Sequence, residues 1–508
     1  MSMINRLLSF TALILLLISY SINAAELPKS LPILKNNLLF SIDRIDVVEG
    51  EKMGLLGGSY LFPIGAGFKT GLGVYGAVEG DRGGFFTGGL QLTWEKSLFS
   101  DYFFSVQAFG GGGGGGAAPQ GGGLMYRTST ELGKKINNSR IAAGFSYINF
   151  PNGEIESSQF TLSFSKDIDN LHLSGYSPSS KFNQWREVLE RQFTAVPQTF
   201  SLQFLSYYPD TQNRGRSGKV LDERMDVIGI RWSKKLNESY WFEFETGGAF
   251  SGGIDGFAEV LSGVSYRSPV IPWLAANSGF LVGAAGGGDV DTGGGAIVRV
   301  YTGFDLIMGE RWQINNQFGF NRAVDGDFTT PYTSFNLAYS FSSFYPMNSD
   351  ISVYDGSEIY WRQLRIRSGV QTYFSMPQES RKSVNVSPVN VDLTSLKLDA
   401  FVNRWLFLTG HALGAATGGA GGYAVGLVGP GFQFSRYASW EFLVGAAGGG
   451  GLDVGAGKIL QTMFNVELPI NSALGVEASI GHIEAVGGGL SGPVSNLSIN
   501  YYFMQPYQ

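Results

Sequence analysis

The sequence predicts an all-β chain: a large transmembrane antiparallel β-barrel of about 20–26 strands, built from three internal repeats. Three observations carry the prediction: a Gly-rich block that recurs three times, period-2 alternation along most of the chain, and an export signal at the N-terminus.

The repeat comes first. The blocks begin at Phe104, Phe280 and Phe442 and end in an acidic-Leu pair at Glu131, Asp305 and Glu467. The second reads FLVGAAGGGDVDTGGGAIVRVYTGFDL and the third FLVGAAGGGGLDVGAGKILQTMFNVEL. Both run 25 positions from Phe to acid, and the first runs 27. Self-similarity at a fixed spacing marks a repeated architecture. Three units are read at 53–168, 225–344 and 394–508, each cut into about seven strands. In the second unit the strands fall near 225–236, 239–250, 256–267, 278–288, 294–307, 311–322 and 332–342. Two connecting segments, 169–224 and 345–393, add strands near 198–208 and 358–374. Residues 26–52 are a periplasmic segment or a first strand.

Alternation sets the surroundings. Phe160, Leu162 and Phe164 alternate with Thr161, Ser163 and Ser165. Phe335, Leu337, Tyr339 and Phe341 alternate with Ser334, Asn336, Ala338 and Ser340. One face is greasy and aromatic, while the other is neutral-polar or small. A soluble sandwich also alternates, but its polar face meets bulk water and carries Lys, Glu and Asp. The pattern fits lipid outside and water or filler inside.

Residues 1–25 have the form of a cleaved secretory signal: Arg6, a short apolar run from Leu7 to Ile18, then small residues at SINAA. The apolar run is too short for a span of about 20 residues. The predicted location is the cell outer membrane. Charged residues make up only 15% and aromatics 14%, with Gly at 73 of 508, which excludes disorder and an ordinary helical protein. A net charge of −6 argues against nucleic acid. With no Cys, disulfides, thiolate metal sites and Cys nucleophiles are excluded.

Two segments invite a helix. Residues 176–197 place Phe182, Trp185, Leu189 and Phe193 on one face, which predicts a short amphipathic helix at the barrel rim. Trp405 to Ser435 holds no Asp, Glu, Lys or Arg, and has Gly410, Gly414, Gly418, Gly422 and Gly426 every four residues. That spacing suits a helix interface or one face of a strand. Paired glycines cost a helix about 1 kcal/mol each against Ala, and strands are preferred. The Ser/Asn/Pro/Asp-rich stretches 345–357 and 376–393 are expected to be loops.

Chemistry is sparse. No P-loop or dinucleotide fingerprint appears, no metal spacing, and no cofactor is expected. His172 and Ser174 form a His-x-Ser pair, as in outer-membrane lipid A deacylases, but no third partner can be named. An enzyme is not expected. The candidate functional residues are lumen-side charges: Arg127 and Glu131, Arg299 and Asp305, Arg365 and Arg367, and Glu467. Such charges pair to fill a lumen or tune its selectivity. Gly286, Gly288, Gly414, Gly418, Gly448 and Gly450 form smooth walls. They give either tight curvature and turns or a surface against which a plug or passing chain lies.

The last strand carries a resemblance. Leu497, Ile499, Tyr501 and Phe503 alternate with Asn496, Ser498, Asn500 and Tyr502, an ending that resembles Gram-negative outer-membrane β-barrel proteins. The resemblance implies recognition of Tyr501 and Phe503 by the barrel assembly machinery. The chain departs from that pattern by running on through Met504 to Gln508. The function expected is a pore or export conduit for polar or polymeric material. The alternatives are a closed barrel serving as scaffold or surface adhesin and, third, an outer-membrane lipid hydrolase. Expected partners are outer-membrane lipid, the assembly machinery, and a periplasmic or exported polymer.

Overall fold

The computed structural model describes residues 33–48, 50–175, 193–346, 360–376 and 389–507. Its strands form three separate eight-stranded rings, not one large barrel. Ring 1 holds β1 (Ile33–Asp46), β2 (Lys52–Gly65), β3 (Phe68–Glu79), β4 (Phe86–Ser97), β5 (Tyr102–Gly114), β6 (Met125–Ile136), β7 (Ser139–Asn149) and β8 (Glu156–Leu171). A two-residue strand, β9 (Leu173–Ser174), follows. Ring 2 holds β10 (Phe193–Tyr207), β11 (Met225–Lys235), β12 (Tyr240–Ser251), β13 (Ala258–Ile271), β14 (Leu274–Gly286), β15 (Ala296–Met308), β16 (Trp312–Ala323) and β17 (Thr329–Pro346). Ring 3 holds β18 (Tyr360–Met376), β19 (Val389–Phe401), β20 (Leu406–Ala415), β21 (Ala424–Ser435), β22 (Ala438–Gly448), β23 (Lys458–Pro469), β24 (Leu474–Ala485) and β25 (Ser491–Tyr507).

Every neighbouring pair is antiparallel, and each ring closes first strand on last. β1 pairs β8 from Ile33↔Leu171 to Asp43↔Thr161. β10 pairs β17 from Phe193↔Pro346 to Tyr207↔Tyr332. β18 pairs β25 from Tyr360↔Tyr507 to Tyr373↔Val494. The rings are barely continuous with one another: Ser343↔Tyr507 joins ring 2 to ring 3, and β9 adds two pairs to β25. Closure leaves no lipid-exposed edge, which a membrane requires.

The expected unit boundaries shift accordingly. The cuts at 53, 225 and 394 each begin at the second strand of a ring. Residues 33–46 are a strand, and the two strands assigned to connectors are β10 and β18, the first strands of rings 2 and 3. Residues 193–197 of the expected helix begin β10, and its remainder lies outside the described residues. Tyr345 and Pro346 end β17, Met376 ends β18, and 389–393 start β19, so these residues of the expected loops are strand, and the rest of both stretches lies outside the described residues. The signal segment also lies outside the described residues. Trp405–Ser435 folds as β20 and β21. Among the described residues no helix is long and apolar enough to cross a membrane.

Alternation places the side chains. Phe160 is 55% exposed on the outside of ring 1, and its neighbour Thr161 is fully buried inside. Phe335 and Leu337 likewise face out, with Ser334 and Asn336 in. This is a soluble protein's partition inverted, and it suits rings standing in hydrocarbon. The connections differ by end. The β2–β3, β6–β7, β13–β14 and β21–β22 turns have two residues each. At the other end, β5–β6 spans ten residues, while β14–β15 and β22–β23 span nine each. Short turns and long loops mark the periplasmic and outer ends of such barrels.

The Gly blocks occupy the fifth strand of each ring and the loop after it. At the loop end they dock ring to ring. The β14–β15 loop of ring 2 meets the β3–β4 loop of ring 1, where the Gly83 N–H donates to Gly293 O at 2.9 Å. The β5–β6 loop of ring 1 meets the β20–β21 loop of ring 3, where the Gly422 N–H donates to Gly113 O at 3.1 Å. The β22–β23 loop of ring 3 meets the β12–β13 loop of ring 2, where Gly448 lies against Gly256. Each contact joins the fifth-strand side of one ring to the third-strand side of the next. Three such contacts close a head-to-tail circuit, the geometry of a pseudo-threefold assembly within one chain.

Only glycine permits this approach. A Cβ on Gly448 would sit 2.0 Å from Gly256 N, and one on Gly286 would sit 2.4 Å from Gly84 N. One on Gly414 would sit 2.4 Å from Gly112 O. Gly288, Gly418 and Gly450 have a different task. Each has a positive φ in a turn packed against its own ring, on Ile254 O, Asn390 O and Ala420 O respectively. At the turn end the rings meet again through side chains. Leu171 of ring 1, Phe193 and Phe344 of ring 2 and Trp361 of ring 3 share one apolar cluster.

Gly448→Val should therefore loosen the seam and lower the thermal unfolding midpoint, at about 1–3 kcal/mol or more for overpacking against backbone. Gly426→Ala, where a new Cβ meets nothing within 4 Å, should leave the midpoint unchanged. Differential scanning calorimetry in detergent distinguishes the two. Equal midpoints would contradict the seam.

Candidate functional site: filled lumens and a chamber between the rings

An eight-stranded ring is just wide enough for its own side chains to fill. Here the filling is charged. In ring 1, Arg127 Nε donates to Asp43 Oδ2 at 2.8 Å and Nη2 to Thr161 Oγ1 at 3.0 Å. Glu131 accepts from Gln107, Ser129 and Ser163. In ring 2, Arg299 bridges Glu245 at 2.6 Å and Glu259 at 2.8 Å. Arg231 reaches Glu243 and Glu245, while Asp305 accepts from Asn277 and Asn315. In ring 3, Arg365 and Arg367 share Asp399 at 2.6 and 2.7 Å. Arg367 also pairs with Glu441 and Glu477, Lys397 with Glu441, and Tyr502 donates to Glu467.

All seven lumen charges singled out from the sequence thus lie inside rings, paired or hydrogen-bonded. They stand in networks completed by residues the sequence reading passed over: Asp43, Arg231, Glu243, Glu245, Glu259, Lys397, Asp399, Glu441 and Glu477. The signal was available, because each is a charge at an inward position of an alternating strand, as in YWFEFETGG around Glu243 and Glu245. The guanidinium groups of Arg127, Arg299, Arg365 and Arg367 are fully buried among these partners, so the networks obstruct the lumens. A cavity of about 20 Å³ beside Glu95 and Arg140 in ring 1 has room for about one water.

The large space lies between the rings. A chamber of about 2870 Å³ is walled by the outward faces of all three. Phe40, Ile42 and Val74 come from ring 1, Phe200, Ile230 and Val260 from ring 2, and Leu396, Leu408 and Val428 from ring 3. The loop end is bounded by the glycine seam, with Gly84, Gly112, Gly256, Gly422 and Gly448 in its wall. In ring 3 the wall runs Leu408, Gly410, Ala412, Gly414 along β20, the small-residue face noted in the sequence. The smooth wall thus faces the chamber.

An apolar chamber of this size is not left empty. Cavity scaling of about 24 cal/mol per Å³ makes an unfilled space of thousands of Å³ prohibitively costly, on the order of tens of kcal/mol. Water suits it poorly, because filling it with water would leave the apolar wall hydrated. Hydrocarbon matches the wall.

The histidines are placed elsewhere. His172 Nε2 and Ser174 Oγ both bond the Tyr501 hydroxyl, at 2.5 and 2.9 Å, and Phe503 stacks on the imidazole at 4.7 Å. Tyr501 and Phe503 therefore lock ring 1 to ring 3. Among the described residues no carboxylate orients His172, and its buried Nδ1 has no hydrogen-bond partner. His411 is inside ring 3 on Ser395, and His482 faces Ser491 at 3.2 Å. Among the described residues no three potential metal ligands gather.

Outside the membrane-facing strands, Arg82 braces the seam. It chelates Glu51 at 2.6 and 2.7 Å and donates to Ala117 O at 2.6 Å, tying three loops of ring 1 together. The same guanidinium holds the Glu51 carboxyl below its ordinary range.

Removing one cation from a lumen network leaves buried carboxylates uncompensated. Arg299→Met should cost about 3–5 kcal/mol of stability through Glu245 and Glu259. Thermal unfolding of the variant checks this, and an unchanged midpoint would mean that the network is solvated.

No protein-family model and no curated protein matches the chain. Among solved structures it is similar to Acinetobacter baumannii OccAB3, at 10% identity and TM-score 0.21, covering 93% of this chain and 99% of that one. It is also similar to the Pseudomonas aeruginosa siderophore receptor PirA, at 10% identity and TM-score 0.27, covering 94% and 81%. A third is P. aeruginosa OpdQ, at 10% and 0.18, covering 93% and 98%. These neighbours are Gram-negative outer-membrane β-barrels. At such TM-scores the superpositions carry no argument about arrangement or activity.

Proposed function

We propose that this chain is an outer-membrane transport protein whose working space is the chamber between its rings, and that what it holds or passes is apolar. The carrying observation is the contrast between the two kinds of interior. The lumens are filled by ion-pair networks, whereas the chamber is large, apolar and smooth-walled. A polar or polymeric solute finds no path past Arg127, Arg299 or Arg367, so cargo with acyl chains fits better than the polar cargo expected from the sequence.

The rings also differ from one another in a telling way. The glycine seam recurs in all three, with the same strands in contact. The lumen networks recur only in part: Arg127 and Arg299 lie on sixth strands, as do Glu131, Asp305 and Glu467, but Arg231 lies on a second strand and Arg365 and Arg367 on a first. What recurs with the same strands in contact in all three units is the glycine seam that bounds the chamber. The closed lumens also favour a second reading, a three-ring scaffold whose chamber only holds bulk membrane lipid. Insertion by the barrel assembly machinery through Tyr501 and Phe503, after cleavage of a signal peptide, belongs to this proposal.

Two measurements test it. In planar bilayers the folded protein should give no steady ohmic current, and a stable conductance would overturn the closed lumens. After detergent exchange, extraction should recover acyl lipid bound in defined stoichiometry. A Gly410→Phe, Gly426→Phe double variant, which fills open wall space, should retain less of it. Lipid recovery that is non-stoichiometric and insensitive to the variant would favour the scaffold.

A further inference from the structure

The chamber wall is mostly apolar; toward the loop end its charged residues are the acids Glu259 and Asp392, and its Lys and Arg residues stand near the turn end. There three cations stand on outward, chamber-facing positions: Lys166 of β8, Lys234 of β11 and Arg362 of β18. Outward charge in a hydrocarbon setting is costly and marks function. None of the three makes an ion pair with a described residue. Asp167, which also reaches this rim, is held by Arg140 at 2.6 Å.

The cations are grouped across the rings. Lys166 and Lys234, from different rings, line the same end of the chamber, where β8 of ring 1 packs against β17 of ring 2. Lys234 pairs in register with Gln198, and Gln198 with Phe341, so one cross-strand row links them. Two strand spacings make that row about 10 Å long. At its far end the Arg362 guanidinium lies 6.0 Å from the Phe341 ring centre and 4.2 Å from that of Tyr507. Lys234 sits 3.6 Å over Tyr345, whose hydroxyl accepts from Gln198 at 3.0 Å. Lys234 and Arg362 are thus seated on aromatic faces rather than on described carboxylates. Aromatic rings belong at the level where hydrocarbon gives way to headgroups.

We infer that the chamber binds an anionic diacyl phospholipid, taken from the leaflet at the turn end, with its phosphate held by Lys166, Lys234 and Arg362 and its acyl chains lying along the smooth wall. This rests on the chamber reading above and adds its recognition element. Like-charged groups gathered without a counter-ion among the described residues complement a phosphate, and a guanidinium grips one with two parallel hydrogen bonds. The glycine seam bounds the loop end, so the lipid enters headgroup-outward toward the turn end. Lipopolysaccharide carries phosphate too, but would approach from the loop end, where the seam stands.

The test is native mass spectrometry of the full chain in detergent, titrated with phosphatidylglycerol, diacylglycerol or lipopolysaccharide. The wild type should prefer phosphatidylglycerol over diacylglycerol by at least about tenfold. The Lys166→Gln, Lys234→Gln, Arg362→Gln triple variant should lose that preference and still bind diacylglycerol, which also shows that it is folded. Equal binding of the two lipids by wild type, or an unchanged preference in the variant, would overturn the phosphate site and leave the chamber reading standing. Binding of neither would overturn both. Preferential retention of lipopolysaccharide would overturn the phospholipid and its route.

Discussion

The structure depends on one constraint: a backbone in hydrocarbon must pair every N–H and C=O within the protein. A sheet meets it only by closing. This chain closes three times at eight strands, through β1–β8, β10–β17 and β18–β25. Eight strands leave a lumen of side-chain width. Side chains that turn inward must then be small, neutral or mutually compensating. Arg127 with Asp43, Arg299 with Glu245 and Glu259, and Arg367 with Asp399 and Glu477 are the compensating kind.

Closure displaces the useful space from inside the rings to between them. Three cylinders cannot meet along their whole length, and they touch where side chains vanish or interlock. At the loop end they vanish, at Gly84 on Gly286 and Gly256 on Gly448. At the turn end they interlock, through Leu171, Phe193, Phe344 and Trp361 and through the Tyr501–His172 contact. The gap between the two joints takes its character from the outer faces of the rings, which the alternation of the strands makes apolar. An apolar chamber with a cationic rim follows from that geometry once Lys166, Lys234 and Arg362 are placed on those faces.

The local part of this architecture was legible in the sequence. Phe160-Thr161-Leu162-Ser163-Phe164 specifies a strand with one greasy face, because side chains alternate across a strand. Ring closure was not legible. Nothing near Ile33 or Leu171 says that the two pair across 138 positions, and a strand that closes a ring has the same alternation as one that continues it. The first strands of rings 2 and 3 were therefore read as extra connectors, and three rings of eight looked like one large barrel. The charges suffered similarly. Arg365 and Arg367 stood out as an adjacent pair, but Glu477 and Glu441 become their partners only when the ring brings β24 and β22 across the lumen from β18. The glycines announced a close approach without naming its object, which is the glycine loop of the next ring.

The separateness and docking of the rings is the central claim, and the absence of Cys from the sequence makes it directly testable. A Cβ on Gly76 of ring 1 would lie 3.4 Å from the Ala284 Cβ of ring 2, and one on Gly248 of ring 2 would lie 3.4 Å from the Ala446 Cβ of ring 3. Both separations are at the short edge of disulfide geometry, about 3.5–4.5 Å between Cβ atoms. The measurement is intramolecular disulfide formation in Gly76→Cys, Ala284→Cys and in Gly248→Cys, Ala446→Cys, read by mass spectrometry of the folded, membrane-inserted protein. Docked rings predict near-complete closure of both pairs. In a single large barrel β12 and β22 would be ten strands apart, and failure of both pairs to close in folded protein would contradict the account.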